Sequence, residues 1–198
     1  YLFIYICDVK IKDDNKINDI YAATLKLVKA SGLAGITMQA VAKEAGVATG
    51  TLYIYFQNKD ELIIRLFDVC VKNSASNFFK DYSVRDPFKV GFRTIWSNIL
   101  QHRLSRFPES IFIEQCFHSP FIDEDTKITL KKMFDPLLEL LNRGKREHLI
   151  KNIDTFWLLT FMIGGINEVA KRVVYFNKKL SVELMDQNFQ MCWDGIKA

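Results

Sequence analysis

The sequence predicts an all-α protein, with a small three-helix head followed by a larger helical body. Three observations carry that prediction. Apolar residues recur at i, i+3 and i+4 along most of the chain, the spacing of one helix face. Nothing alternates with period two for long enough to make a strand. Only 4 Pro and 9 Gly in 198 residues suit long helices joined by few turns. With 49% hydrophobic and 25% charged residues, a chain of this length folds around a sizeable core and is neither disordered nor membrane-embedded.

The elements follow in order. Residues 1–7 are an apolar septet without a basic leader or a small-residue cleavage site, too short to span a bilayer. They belong to an extension over 1–15 that either frays or packs as an extra element. Ile17, Ile20, Tyr21, Thr24 and Val28 make one face of a first helix ending near Ser31 and Gly32. Thr37 caps a second helix, its hydroxyl accepting from a free N–H of the first turn, with Met38, Val41 and Ala42 inward. Ala45, Gly46 and Val47 form a turn in which Gly46 suits a left-handed backbone. A third helix, about 48–55, is too short to stand alone and must be held by its neighbours.

Gln57 or Asn58 caps a fourth helix running from about Lys59 towards Lys80, with Leu62, Leu66, Val69 and Cys70 inward. Asp86 and Pro87 open a fifth, striped by Phe88, Phe92, Ile95, Trp96, Ile99 and Leu100. A shorter helix carries Ile111, Phe112, Gln115 and Cys116 and stops at His118, Ser119 and Pro120. Asp123 or Asp125 starts a longer one with Leu130, Phe134, Leu137, Leu138 and Leu141, and Pro136 inside it predicts a kink or a break. Asp154 caps a helix that is apolar on most of its circumference as far as Phe176. Ser181 caps the last, striped by Val182, Met185, Phe189, Cys192, Trp193 and Ile196.

The short third helix bears Thr49, Thr51, Tyr53 and Tyr55, with Gly50 allowing close backbone approach. Hydroxyls, a glycine and tyrosine tips on a short pinned helix are what a reader of the DNA major groove needs. The generic alternative is a helix–turn–helix corner that only packs. The net charge of the chain is +4, but residues 1–62 hold seven Lys and seven acids and are neutral. DNA binding must therefore rest on placed cations such as Lys26, Lys29, Lys43 and Lys59, not on a basic field.

The order of residues narrows the choice. The run Gly50-Thr51-Leu52-Tyr53-Ile54-Tyr55-Phe56, then Asn58-Lys59-Asp60-Glu61-Leu62, preceded by Ala42-Lys43-Glu44-Ala45-Gly46-Val47, resembles the DNA-binding head of the TetR family of bacterial transcriptional regulators. The match extends from Ile17 to Leu62, and beyond it the likeness is one of layout. Ala48 stands where Ser is common, and Ile54 where a polar residue or His is common, which puts base readout at 54 in question. The resemblance implies a DNA-binding domain over 16–62 and a ligand-binding and dimerisation domain over 63–198.

It also matches Tyr53 and Lys59 to recurrent phosphate contacts. We expect Thr37 to join them, Thr49, Thr51 and Tyr55 to meet bases or the groove wall, Gly50 to permit the approach, and Gln39 to reach either. One short helix reads only a few base pairs, so a homodimer on a near-palindromic double-stranded operator is expected. The resemblance implies that the last two helices pair with their copies. It implies further that a small hydrophobic or aromatic effector enters a cavity in the body and releases DNA. Phe92, Trp96, Phe112, Gln115, Cys116, Phe134, Trp157 and Phe161 are candidate walls, with Asn167, Arg93 and His102 as further polar groups. A closed aromatic core is the alternative for each of them.

No phosphate-binding glycine loop, paired-His helix or nucleophile elbow is present. Cys7, Cys70, Cys116 and Cys192 are scattered, with no CxxC pair and no metal-ligand spacing to His102, His118 or His148. These residues call for no cofactor, no metal, no membrane span and no enzyme, and the resemblance implies a transcriptional repressor of the reducing cytoplasm. The competing reading is a helical protein-interaction module without DNA binding.

Overall fold

The computed structural model describes the backbone of residues 2–198 and the side chains of 15–128 and 130–198. Among the described residues ten helices follow one another: α1 (Leu2–Ser31), α2 (Met38–Glu44), α3 (Thr49–Tyr55), α4 (Lys59–Phe78), α5 (Phe88–Ser105), α6 (Phe107–Phe117), α7 (Glu124–Lys132), α8 (Asp135–Arg146), α9 (Thr155–Tyr175) and α10 (Val182–Ile196). Among the described residues there is no strand, only an isolated bridge between Ile150 and Lys197. The helices group into two compact units. The first comprises residues 1–70 and 108–123, the second 71–107 and 124–198.

Local chemistry sets the helix ends. Gly32, at φ 76°, terminates α1, and its N–H donates to the Val28 carbonyl at 2.9 Å. The Thr37, Asp154 and Ser181 side chains accept from Ala40, Phe156 and Leu184 N–H groups at the starts of α2, α9 and α10. Pro136 lies in the first turn of α8, where its missing N–H has no partner to lose, so the expected long helix is broken into α7 and α8. α1 begins at Leu2, so the backbone of the expected extension is continuous with the first helix of the head. The character assigned to the apolar septet lies outside the described side chains.

In the first unit, Ile20, Met38, Val41, Ala42, Leu52, Phe56 and Leu62 form one core. α4 turns Ile63 and Phe67 inward beside Leu62, Leu66 and Cys70. Val69, expected inward, is exposed, because the buried stripe drifts around the helix to Cys70. α6 and the loop after it belong to this unit, not to the body: Leu33 N–H donates to Gln115 Oε1 at 2.7 Å. A hydrogen bond spanning so much sequence is invisible to periodicity.

The second unit packs α5 against α8, α9 and α10. Phe88 stacks on Phe92 at 5.9 Å, and Phe92 and Trp96 meet Phe189 at 5.9 and 5.6 Å. Leu158, Met162, Ile166 and Ala170 are the buried stripe of α9. At the end of α4, Ser74 Oγ lies 3.0 Å from Nε2 of buried His102, whose ring meets Phe78 edge-on at 5.4 Å. Burial, then the positive charges of Arg103 and Arg106, hold the His102 pKa down to about 4, so the ring is neutral at physiological pH.

Candidate nucleic-acid interface

α3 has seven residues, and its position is dictated from outside itself. Leu52 is its one buried side chain, and Phe56, immediately after it, is buried in the same core. Tyr55 packs half-buried against that core. The turn before it is fixed by Gly46 at φ 68° and by the Val47 N–H donating to the Ala42 carbonyl at 3.0 Å. At its other end, Arg65 of α4 donates to the Tyr55 carbonyl at 3.1 Å and lies over the Phe56 ring at 5.1 Å. The same Arg65 approaches Glu61 at 3.4 Å. α4 itself starts on a reciprocal cap, Glu61 N–H donating to Asn58 Oδ1 at 2.9 Å and Gln57 N–H to Glu61 Oε2 at 2.7 Å. Arg65 thus ties the short helix to the long one; the apolar pattern gave no sign of it, although its spacing from Glu61 is that of a helical ion pair.

What α3 leaves outward is a strip at i, i+1, i+4 and i+5: Thr49, Gly50, Tyr53 and Ile54. Tyr53 is 51% and Ile54 82% exposed. Thr51 and Tyr55, expected on this face, stand half-buried at its edge, because the pair i+2, i+6 turns towards the core that takes Leu52 and Phe56. A Cβ built on Gly50 would meet nothing within 4 Å, so no contact inside this chain requires a glycine there. Gly costs about 1 kcal/mol against Ala in a helix interior.

Thr37 and Gln39 are exposed at the start of α2. The Thr37 hydroxyl accepts from Ala40 N–H at 3.1 Å, which leaves its own hydrogen for an outside acceptor. Lys59 is half-buried in the first turn of α4, its ammonium 5.5 Å from the centre of the Phe121 ring. Of the other cations named from sequence, Lys26 pairs with Glu44, and Lys29 and Lys43 are exposed.

The eight residues expected to wall an effector cavity do not come together within either unit. Phe112, Gln115 and Cys116 belong to the first unit, where Phe112 and Cys116 are buried and Gln115 holds Leu33. Burial pushes the Cys116 thiol up to about 12, so it is not a thiolate at neutral pH. Phe92 and Trp96 are closed into the body's aromatic core, and Phe134 lies 6.0 Å from Phe78. Trp157 and Phe161 are 62% and 54% exposed, since α9 turns Leu158 and Met162 inward and its rings outward. Among the polar candidates, Arg93 pairs with Asp186, and Asn167 Oδ1 is buried without a hydrogen-bond partner. Cys70, Cys116 and Cys192 are not joined in disulfides. Among the described residues no helix is long and apolar enough to cross a membrane.

A family model described as bacterial regulatory proteins, tetR family, matches residues 20–66. A second, tetracyclin repressor-like, C-terminal domain, matches 87–197. An uncharacterised HTH-type transcriptional regulator of Haemophilus influenzae is 39% identical over 80 residues, 40% of this chain. The chain spans 43% of that relative's length. A TetR-family transcription regulator of Marinobacter aquaeolei superposes with a TM-score of 0.84 at 24% identity, over 95% of this chain and 98% of that one. FadR of Bacillus subtilis, solved in complex with stearoyl-CoA, superposes at 0.67 with 20% identity, over 90% and 98%. At these identities the two structures show likeness of fold alone. None of these matches points to a helix–turn–helix corner that only packs.

Proposed function

The chain belongs to the TetR family of bacterial transcriptional regulators, DNA-binding proteins that act as dimers and are not enzymes, and we propose that it is a cytoplasmic repressor that binds a near-palindromic operator and leaves it when a small hydrophobic molecule enters the body. The observation that carries this reading is the outward strip of α3, a helix held by Leu52, Phe56 and Arg65 with its remaining face unpacked. Domain roles follow: residues 16–62 read DNA, and 63–198 dimerise and sense. Thr49 meets bases or the groove wall, with Thr51 and Tyr55 reaching from the edge. Gly50 lets the sugar-phosphate wall come close, Thr37, Tyr53 and Lys59 hold phosphates, and Gln39 reaches either. Because the head is neutral overall, these few contacts give a shallow salt dependence.

The dimer reading rests on α9 and α10. Phe156, Trp157 and Phe161 line the outer face of α9, next to Gly164 and Gly165, at which a Cβ would meet nothing within 4 Å. The Phe161 ring lies against Gly195 of α10, where a Cβ would come within 2.9 Å. Such a face is self-complementary material for a twofold interface. The effector reading has two supports: the unpaired Asn167 Oδ1 in an aromatic unit, and the stearoyl-CoA held by one protein of like fold. Ligand entry must open the Phe92–Trp96 core and favour one of two states to act at all.

Selection of bound duplexes from a random pool tests the central reading. A recovered near-palindrome whose affinity falls as salt rises is the expected result; no enrichment of any sequence sinks it. A screen of apolar compounds for thermal stabilisation, followed by operator release, tests the switch. Stabilising compounds that leave operator affinity untouched would show that the body binds ligands without controlling DNA.

A further inference from the structure

Ile54 is the most exposed large apolar residue among those described, at 82%. It sits one helical turn after Gly50 and beside Tyr53, in the middle of the only unpacked face of α3. Leu52, the helix's other aliphatic side chain, is fully buried. A β-branched residue gains nothing for a seven-residue helix by propensity, and here it lies mostly in the open. The other residues of the exposed strip are Thr49, Gly50 and Tyr53, two hydroxyls and a bare backbone. One aliphatic side chain in such a setting offers too little contiguous apolar area for a protein partner. It does match the one apolar group on base edges in the major groove, the thymine C5-methyl.

We infer that Ile54 reads that methyl, so that each operator half-site requires a thymine at one fixed position opposite it. This inference rests on the DNA-binding reading above and adds to it a specificity determinant that works without hydrogen bonds. Discrimination has two sources. The methyl and the Ile54 side chain are both removed from water. A cytosine at the same place lacks the methyl, and a purine presents N7 with O6 or N6–H, polar groups left dry against a side chain that cannot pair with them.

The test substitutes deoxyuridine for thymidine, one position at a time, in the operator recovered by selection; each substitution deletes a single methyl. For the native chain one position per half-site loses about fourfold in affinity, the equivalent of one buried methylene, and both half-sites together about fifteenfold. Ile54→Ala binds more weakly but is indifferent to uracil at that position, and reselection with it relaxes the base preference there. Ile54→Val keeps both. Ile54 is 82% exposed, so these substitutions should disturb the fold little, and melting temperatures check folding. If Ile54→Ala retains the native uracil profile and the native base preference, the inference is wrong while the DNA-binding reading stands. If the native chain selects no duplex, the DNA-binding reading fails and takes this inference with it.

Discussion

α3 and α9 each bury one side and, among the described residues, leave most of the other exposed, yet the two open faces differ in kind. That of α3 is hydroxyls, a glycine and one isoleucine on seven residues; that of α9 is Phe156, Trp157 and Phe161 on a long helix. Scattered donors and a close-approach glycine suit a hydrated polyanion whose edges are read group by group. Large rings within two turns suit a dry, shape-matched surface of their own kind. The difference teaches that an unpacked face reports its partner's class through its chemistry, not its extent.

The comparison is broken most severely by charging α9. Trp157→Glu with Phe161→Glu should weaken self-association by at least about 3 kcal/mol, because two anchors become buried unpaired charges. Sedimentation should show monomers at micromolar concentration, with the head still folded and operator binding lost. A double variant that remains dimeric would place the interface elsewhere.

Acid acts on the body next. His102 is neutral in the folded state with its pKa near 4, against an ordinary value of 6.5 when unfolded. Between those values the unfolded chain takes up the proton and the folded chain does not, so stability is lost as pH falls from 6.5 to 4. The loss should approach about 3 kcal/mol in urea melts of the native chain and shrink in His102→Gln. An equal pH slope in both would show that other groups carry it.

Smaller changes sharpen the head. Thr37→Ala should cost about 1 kcal/mol through the lost cap, and should also weaken the operator complex. Gly50→Ala should move the two properties in opposite directions. The head gains about 0.5–1 kcal/mol, because a Cβ there meets nothing, while operator affinity falls as the approaching backbone meets that methyl. A variant both more stable and equally tight on DNA would show that Gly50 faces only water.

Much of this was legible in the residues. The helix order, the caps at Thr37, Asp154 and Ser181, the left-handed Gly46 and the interruption near Pro136, expected as a kink or a break, all follow from interactions within about one turn, which sequence spacing encodes directly. The motif from Gly50 to Leu62 carried the family in the same way. Only the folded chain decided the rest. It set Thr51 and Tyr55 at the edge and Ile54 at the centre of the strip, turned Trp157 and Phe161 outward, placed Arg65 on the Tyr55 carbonyl, and gave α6 to the first unit through Gln115 and Leu33. The reason is physical: periodicity fixes that a helix has an apolar side, but which neighbour covers that side, and how far round it reaches, depends on residues far away in the chain that meet only when the helices pack.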